Sequence, residues 1–193
     1  MNQVCDQRWP NFTPTKALGL LMRAWTVVLT IPVTALLLQP LWAPRWGSGV
    51  LGEVSATGPV AAVTTIVTFF GLVALYCLTL QRILVRLPKW GRMRSPRSVW
   101  LMFALPFNFV EDFFIVNDIA GSLAASPTIS DINRNIWRAT GLAWCALQIV
   151  SLLPGPLGLV GGALAMPVWL GNWIHGGSIA RTLSRAPLSR DQR

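Results

Sequence analysis

Charge is scarce in this sequence and acidic charge scarcest: Asp and Glu number 7 in 193 residues, and charged residues of both signs make up 12%. Soluble domains carry about 25%. So little charge cannot clothe a water-facing surface, which argues against an ordinary soluble enzyme and for lipid as the solvent. Histidine occurs once, so a haem held by two His ligands has no pair within the chain. The three cysteines, Cys5, Cys77 and Cys145, show no CxxC or Cys/His ligand spacing, and Cys77 and Cys145 lie inside apolar runs as small packing residues. GxSxG, HExxH, Walker and dinucleotide signatures are all missing, so no catalytic residue, metal or cofactor is predicted. The lack of an internal repeat argues against the inverted-repeat transporters.

Apolar residues fill the space that charge leaves, at 53% of the chain with a mean hydropathy of +0.52. They gather in runs at residues 17–38, 59–80, 136–153 and 157–174. At 1.5 Å per residue such runs approach or exceed the roughly 30 Å of a hydrocarbon core. The first run ends without a small-residue cleavage site and reads as a retained helix, with Arg23 snorkelling beside Lys16 and Pro32 placed to kink it. Residues 39–58 are rich in Pro and Gly and carry Arg45, Glu53, Trp42 and Trp46, which suits a surface loop with aromatic anchors, the role expected of most of the ten Trp. Pro59 opens the second run, where its missing N–H costs nothing, and Pro154, Gly155 and Pro156 join the last two in a tight turn.

The net charge of +9 would suggest nucleic acid in a soluble protein, but its placement says otherwise. Arg82, Arg86, Lys89, Arg92, Arg94 and Arg97 fall between residues 81 and 97 without an acid among them, and Arg181, Arg185, Arg190 and Arg193 face Asp191 alone in the tail. Basic clusters beside apolar runs orient membrane helices and touch anionic lipid, so both termini are expected in the cytoplasm, of a bacterial inner membrane. Residues 98–123 complicate this scheme, because an aromatic-apolar stretch runs straight into Glu111, Asp112, Asn117 and Asp118. One Asp at a bilayer centre costs about 2.5–3.5 kcal/mol. A fifth crossing here would also put the basic tail outside. The fold expected is therefore an all-α, polytopic transmembrane bundle in one domain, with about four spanning helices and one re-entrant or interfacial helix over residues 98–123.

Three constellations invite a functional reading. On a helix, Asn108, Glu111, Asp112, Ile115 and Asp118 share one face, fit to pair with Arg134, Arg138 or the basic loop, to rest in solvent at the interface, or to line a cation or proton path. Gly158 and Gly162 form a GxxxG spacing extended by Gly161 and Ala165, which lets another helix approach closely, whether from this chain or from a second subunit. His175, between the last apolar run and the tail, is either an interfacial residue or an axial ligand to a haem or pigment.

The stretch from Arg82 to Ser122 also carries a family likeness. Ser95-Pro96 precedes the run with Trp100, followed by Pro106, Phe107 and Asn108 and then by Asp118-Ile119. This fifth of the chain resembles a bacterial domain-of-unknown-function family of small multi-helix membrane proteins, with Glu111 and Asp112 near the place of that family's second Pro. The resemblance implies a multi-helix architecture and no activity. From the residues themselves the expected role is a non-catalytic membrane subunit that packs against other transmembrane proteins, in an energy-transducing or transport complex. The alternatives are a small ion or proton channel or transporter using residues 108–118, and an envelope protein whose basic loop binds anionic lipid.

Overall fold

A computed structural model describes residues 16–47 and 56–185, with side chains from residue 26 onward. Cys5, Glu53, Arg190, Asp191 and Arg193, and the side chains of Lys16 and Arg23, lie outside the described residues. Five long helices make up the described chain, and none of its residues forms a strand: α1 Lys16–Leu37, α2 Pro59–Arg86, α3 Asn108–Leu123, α4 Asp131–Val150 and α5 Pro156–Arg185. Short helical turns at Gln39–Trp42, Pro44–Trp46, Lys89–Gly91 and Pro96–Phe103 fill the connections. Among the described residues two helices, α2 and α5, are long and apolar enough to cross a membrane. α4 opens on Asp131, Arg134 and Arg138, which dilutes its apolar character, and Thr26–Leu37 is the apolar part of α1 whose side chains are described.

Each helix end has a local cause. Gly58 takes φ +89°, a region open mainly to glycine, and hands the chain to Pro59 at the first helical position of α2. α2 outruns the expected end at residue 80 and carries Arg82 and Arg86 on its own last turns. It stops where Leu87 turns extended, and Arg92 folds back to donate to the Val85 carbonyl at 2.8 Å and the Leu87 carbonyl at 2.7 Å. A cation there satisfies orphan carbonyls and suits the negative helix end. α4 begins five residues before the expected start at residue 136, capped by the Ser130 hydroxyl, which accepts from the Asn133 N–H at 3.4 Å. α5 continues past residue 174 to Arg185, so His175 and Arg181 belong to a helix rather than to a tail. α1 runs on through Pro32, beside which Thr30 and Thr34 donate to the Thr26 and Thr30 carbonyls.

The core sits where α2, α4 and α5 meet. α2 and α5 run parallel: Tyr76 meets Asn172, Thr79 meets Trp173, and Ile83 lies beside Gly176. α4 and α5 are antiparallel, with Val150 against Gly161, Trp144 stacked on Trp169 and Trp137 against Gly176. The chain's one tyrosine, fully buried, donates to Asn172 Oδ1 at 2.7 Å, while Asn172 Nδ2 donates to the Trp137 carbonyl at 2.7 Å and to Thr140 Oγ1 at 2.9 Å. Three helices are thereby joined through a single satisfied amide, the arrangement that makes a buried polar group affordable. Trp144, Trp169 and Trp173 surround Tyr76 at ring separations of 5.6–6.2 Å, in the edge-on geometry that aromatic quadrupoles favour. Trp137, Trp144 and Trp169 are core residues rather than surface anchors, whereas Trp42, Trp46 and Trp90 are exposed. Cys77 and Cys145 are buried free thiols within the same packing.

Residues 96–123 form a hairpin. A 3-10 turn over Pro96–Phe103 runs back along α2: Trp100 Nε1 donates to Gln81 at 2.9 Å, Cys77 Sγ meets the Val99 carbonyl, and Phe103 stacks on Phe70 at 5.8 Å. The chain reverses at residues 104–107, where the Leu105–Pro106 peptide is cis, and α3 returns. The Ser122 hydroxyl accepts from the Met93 N–H at 2.9 Å, and Gly91 touches Ala125, so both ends of the hairpin lie together. From Gln81 back to Phe70 the hairpin follows about 16 Å of α2. α1 leans on this unit through Val33, which packs with Val110 and Leu152.

Candidate functional site

α3 carries the acids, and the structure divides them between two faces. Seven residues are nearly two helical turns, so Glu111 and Asp118 face one way, whereas Asp112 stands about 100° from Glu111. Arg94, from the leg that leads into the hairpin, bridges the first pair: its Nη2 lies 2.6 Å from Glu111 Oε1 and its Nε 3.5 Å from Asp118 Oδ2. The three side chains are 10%, 18% and 23% exposed, so water screens this triad only in part. Burial pushes the Asp118 carboxyl up, with Arg94 pulling it down and Glu111 pushing it up again.

Asp112 points into the core. It is 1% exposed, and its Oδ1 has no hydrogen-bond partner among the described residues. Oδ1 of Asn108, one turn away, and Oε1 of Gln148 on α4 are two further buried acceptors without a donor. The single acidic face of Asn108, Glu111, Asp112 and Asp118 expected from spacing is thus an ion-paired stripe and, separately, an unpaired buried one.

The other candidates divide as clearly. Arg138 Nε donates to Asn117 Oδ1 at 2.8 Å, while Arg134 pairs with Asp131 on its own helix at 2.8 Å. Of the basic cluster, Arg92 caps α2, Arg94 holds the acids, and Lys89 and Arg97 are exposed. Arg82 and Arg86 sit apart at the end of α2, across a groove from Arg181 of α5, a grouping with no sequence signal because about 95 residues separate the two helices. Gly158 is buried against the turn that follows α4 and Gly161 against the end of α4 itself: a Cβ on Gly158 would strike the Leu153 carbonyl, and one on Gly161 would lie 2.8 Å from the Val150 side chain and 2.9 Å from the Ser151 nitrogen. Ala165 is buried in the same core, and Gly162 faces Ser151 with room to spare. His175 is half-buried on α5, its carbonyl accepting from Ser178 Oγ at 2.6 Å; no group of three or more His, Cys, Asp or Glu among the described residues could hold a metal.

Together these observations establish an all-helical architecture over the described residues, with two helices among them long and apolar enough to cross a membrane. No family model matches the sequence, and neither a curated protein nor a solved structure matches it.

Proposed function

We propose that this chain is a non-catalytic integral membrane subunit: α1, α2, α4 and α5 cross the bilayer, the hairpin over residues 98–123 enters and leaves on the side of the basic clusters, and the bundle packs against other transmembrane proteins. The cytoplasm of a bacterium lies on that basic side, and a complex of energy-transducing or transport type is the setting. One observation carries the reading. Every buried side chain of α2 lies at Tyr76 or beyond, so its first half, with Val60, Val63, Ile66 and Val67 exposed, has little cover from the described residues. Gly158 and Gly161 pack within this chain, on the end of α4 and the turn after it, which moves the expected partner surface to that half of α2. A photo-reactive residue at Val63 or Val67 should yield adducts with a different protein in native membranes, and one at buried Ile83 none. A chain that runs alone on native gels, with lipid as its sole cross-linked neighbour, would reject the proposal.

Asp112 favours a second reading, a proton or cation path. An unpaired carboxyl inside a membrane bundle is expensive and is kept where it has a use. On this reading Asp112→Asn abolishes proton or cation flux in liposomes, at least tenfold below the parent chain, while the exposed Arg97→Gln leaves it unchanged. Equal flux in parent and Asp112→Asn vesicles removes it.

A further inference from the structure

The parallel run of α2 and α5 brings their carboxyl ends side by side, and between them opens a groove of about 660 Å³. Arg82 and Arg86, one turn apart on α2, form one wall, and Arg181 with the Ser184 hydroxyl forms the other. Gly177 and Ala180 also line it, and neither brings a side chain large enough to fill the space. Acids are missing from the lining, and none of the three guanidiniums has an acidic partner among the described residues; Arg181 Nε donates to the Gly177 carbonyl at 3.3 Å. Like charges gathered on one groove repel one another unless an anion sits among them. Below the arginines both helices turn apolar and exposed: Leu75 and Leu78 precede Arg82 on the α2 side, and Leu170 and Ile174 precede Arg181 on the α5 side.

We infer that this groove is the headgroup site of an anionic phospholipid, its phosphate held by Arg82, Arg86 and Arg181 and its acyl chains laid along the apolar flanks of α2 and α5. Guanidinium forks match phosphate oxygens two at a time, and basic pockets between membrane helices are suited to such headgroups. The greasy flank beneath the cations selects a lipid over free phosphate, which has no use for Leu78 or Ile174. The site depends on α2 and α5 lying in a bilayer but not on any protein partner, so cross-linking at Val63 can fail without touching it.

The full chain, purified in neutral detergent and stripped of lipid, provides the test. Thermal unfolding is followed with phosphatidylglycerol, with phosphatidylcholine of the same acyl chains, and with inorganic phosphate. Phosphatidylglycerol should raise the midpoint in a concentration-dependent way, and the other two should not. The variant Arg82→Gln/Arg181→Gln should need at least tenfold more phosphatidylglycerol for the same shift, whereas Lys89→Gln/Arg97→Gln, exposed outside the groove, should behave as the parent. An equal shift with phosphate, an equal shift with phosphatidylcholine, or an equal loss in both double variants overturns the site. A photo-reactive residue in place of Ser184 gives a readout independent of stability: it should capture phosphatidylglycerol from mixed vesicles, and capture of phosphatidylcholine in equal yield overturns the proposal as well.

Discussion

Gly161→Ala should destabilise the chain by about 2–3 kcal/mol, the cost of forcing extra atoms into a packed core, while Gly162→Ala should leave stability unchanged or raise it slightly. The two glycines are neighbours in sequence with different surroundings. A Cβ at Gly161 would lie 2.8 Å from Val150 Cγ1, 2.9 Å from the Ser151 nitrogen and 3.0 Å from the Val150 carbonyl carbon, so α4 and α5 would have to separate. A Cβ at Gly162 would meet Ser151 at 3.7 Å, ordinary contact, and would remove the entropic cost of glycine within a helix. At roughly 2–4 °C per kcal/mol, the Gly161 variant should melt roughly 4–12 °C below the parent in detergent. Equal melting of the two variants would mean that the close α4–α5 crossing does not exist. Loss of a native complex on Gly162→Ala, with the isolated chain unharmed, would return the seam to an intersubunit role.

The second large effect is expected at Arg94. Arg94→Met leaves Glu111 and Asp118, both mostly shielded from water, without a counter-charge, and breaking such a pair from one side costs about 3 kcal/mol. The loss should appear as a lowered midpoint at neutral pH. Arg94→Lys should recover only part of it, because a single ammonium lacks the guanidinium fork that reaches Glu111 through Nη2 and Asp118 through Nε. Adding Glu111→Gln and Asp118→Asn to Arg94→Met should bring most of the stability back, since an uncharged trio leaves no lone ion to bury. If the triple variant melts as low as Arg94→Met alone, the triad is incidental and the arginine contributes by packing.

Particular residues show what could and could not be read from the chain. Apolar runs marked α1, α2, α4 and α5, because lipid and a packed core ask for the same residues over the same lengths. Charge does not end a helix here: Arg82, Arg86 and Arg181 continue their helices, since cations are welcome towards a helix's carboxyl end and long stems keep the charge in water. The reversal at residues 104–107 falls within the stretch whose acids ruled out an ordinary span, and Gly158, Gly161 and Ala165 marked a close helix contact. Which helix they meet follows from the tight turn at residues 151–155 rather than from the motif itself. The acids of α3 looked like one face because Glu111 and Asp112 are adjacent, yet adjacency on a helix separates side chains by about 100°. The Arg groove and the Tyr76–Asn172–Thr140 junction join distant stretches, and no local pattern announces them.

The tyrosine at that junction has a practical corollary. Its hydroxyl is sealed where three helices converge, and the sequence holds no other phenol to compete with it. A phenol-selective reagent therefore finds nothing to label on the intact chain, and the rate at which labelling begins under heat or denaturant clocks the parting of α2, α4 and α5.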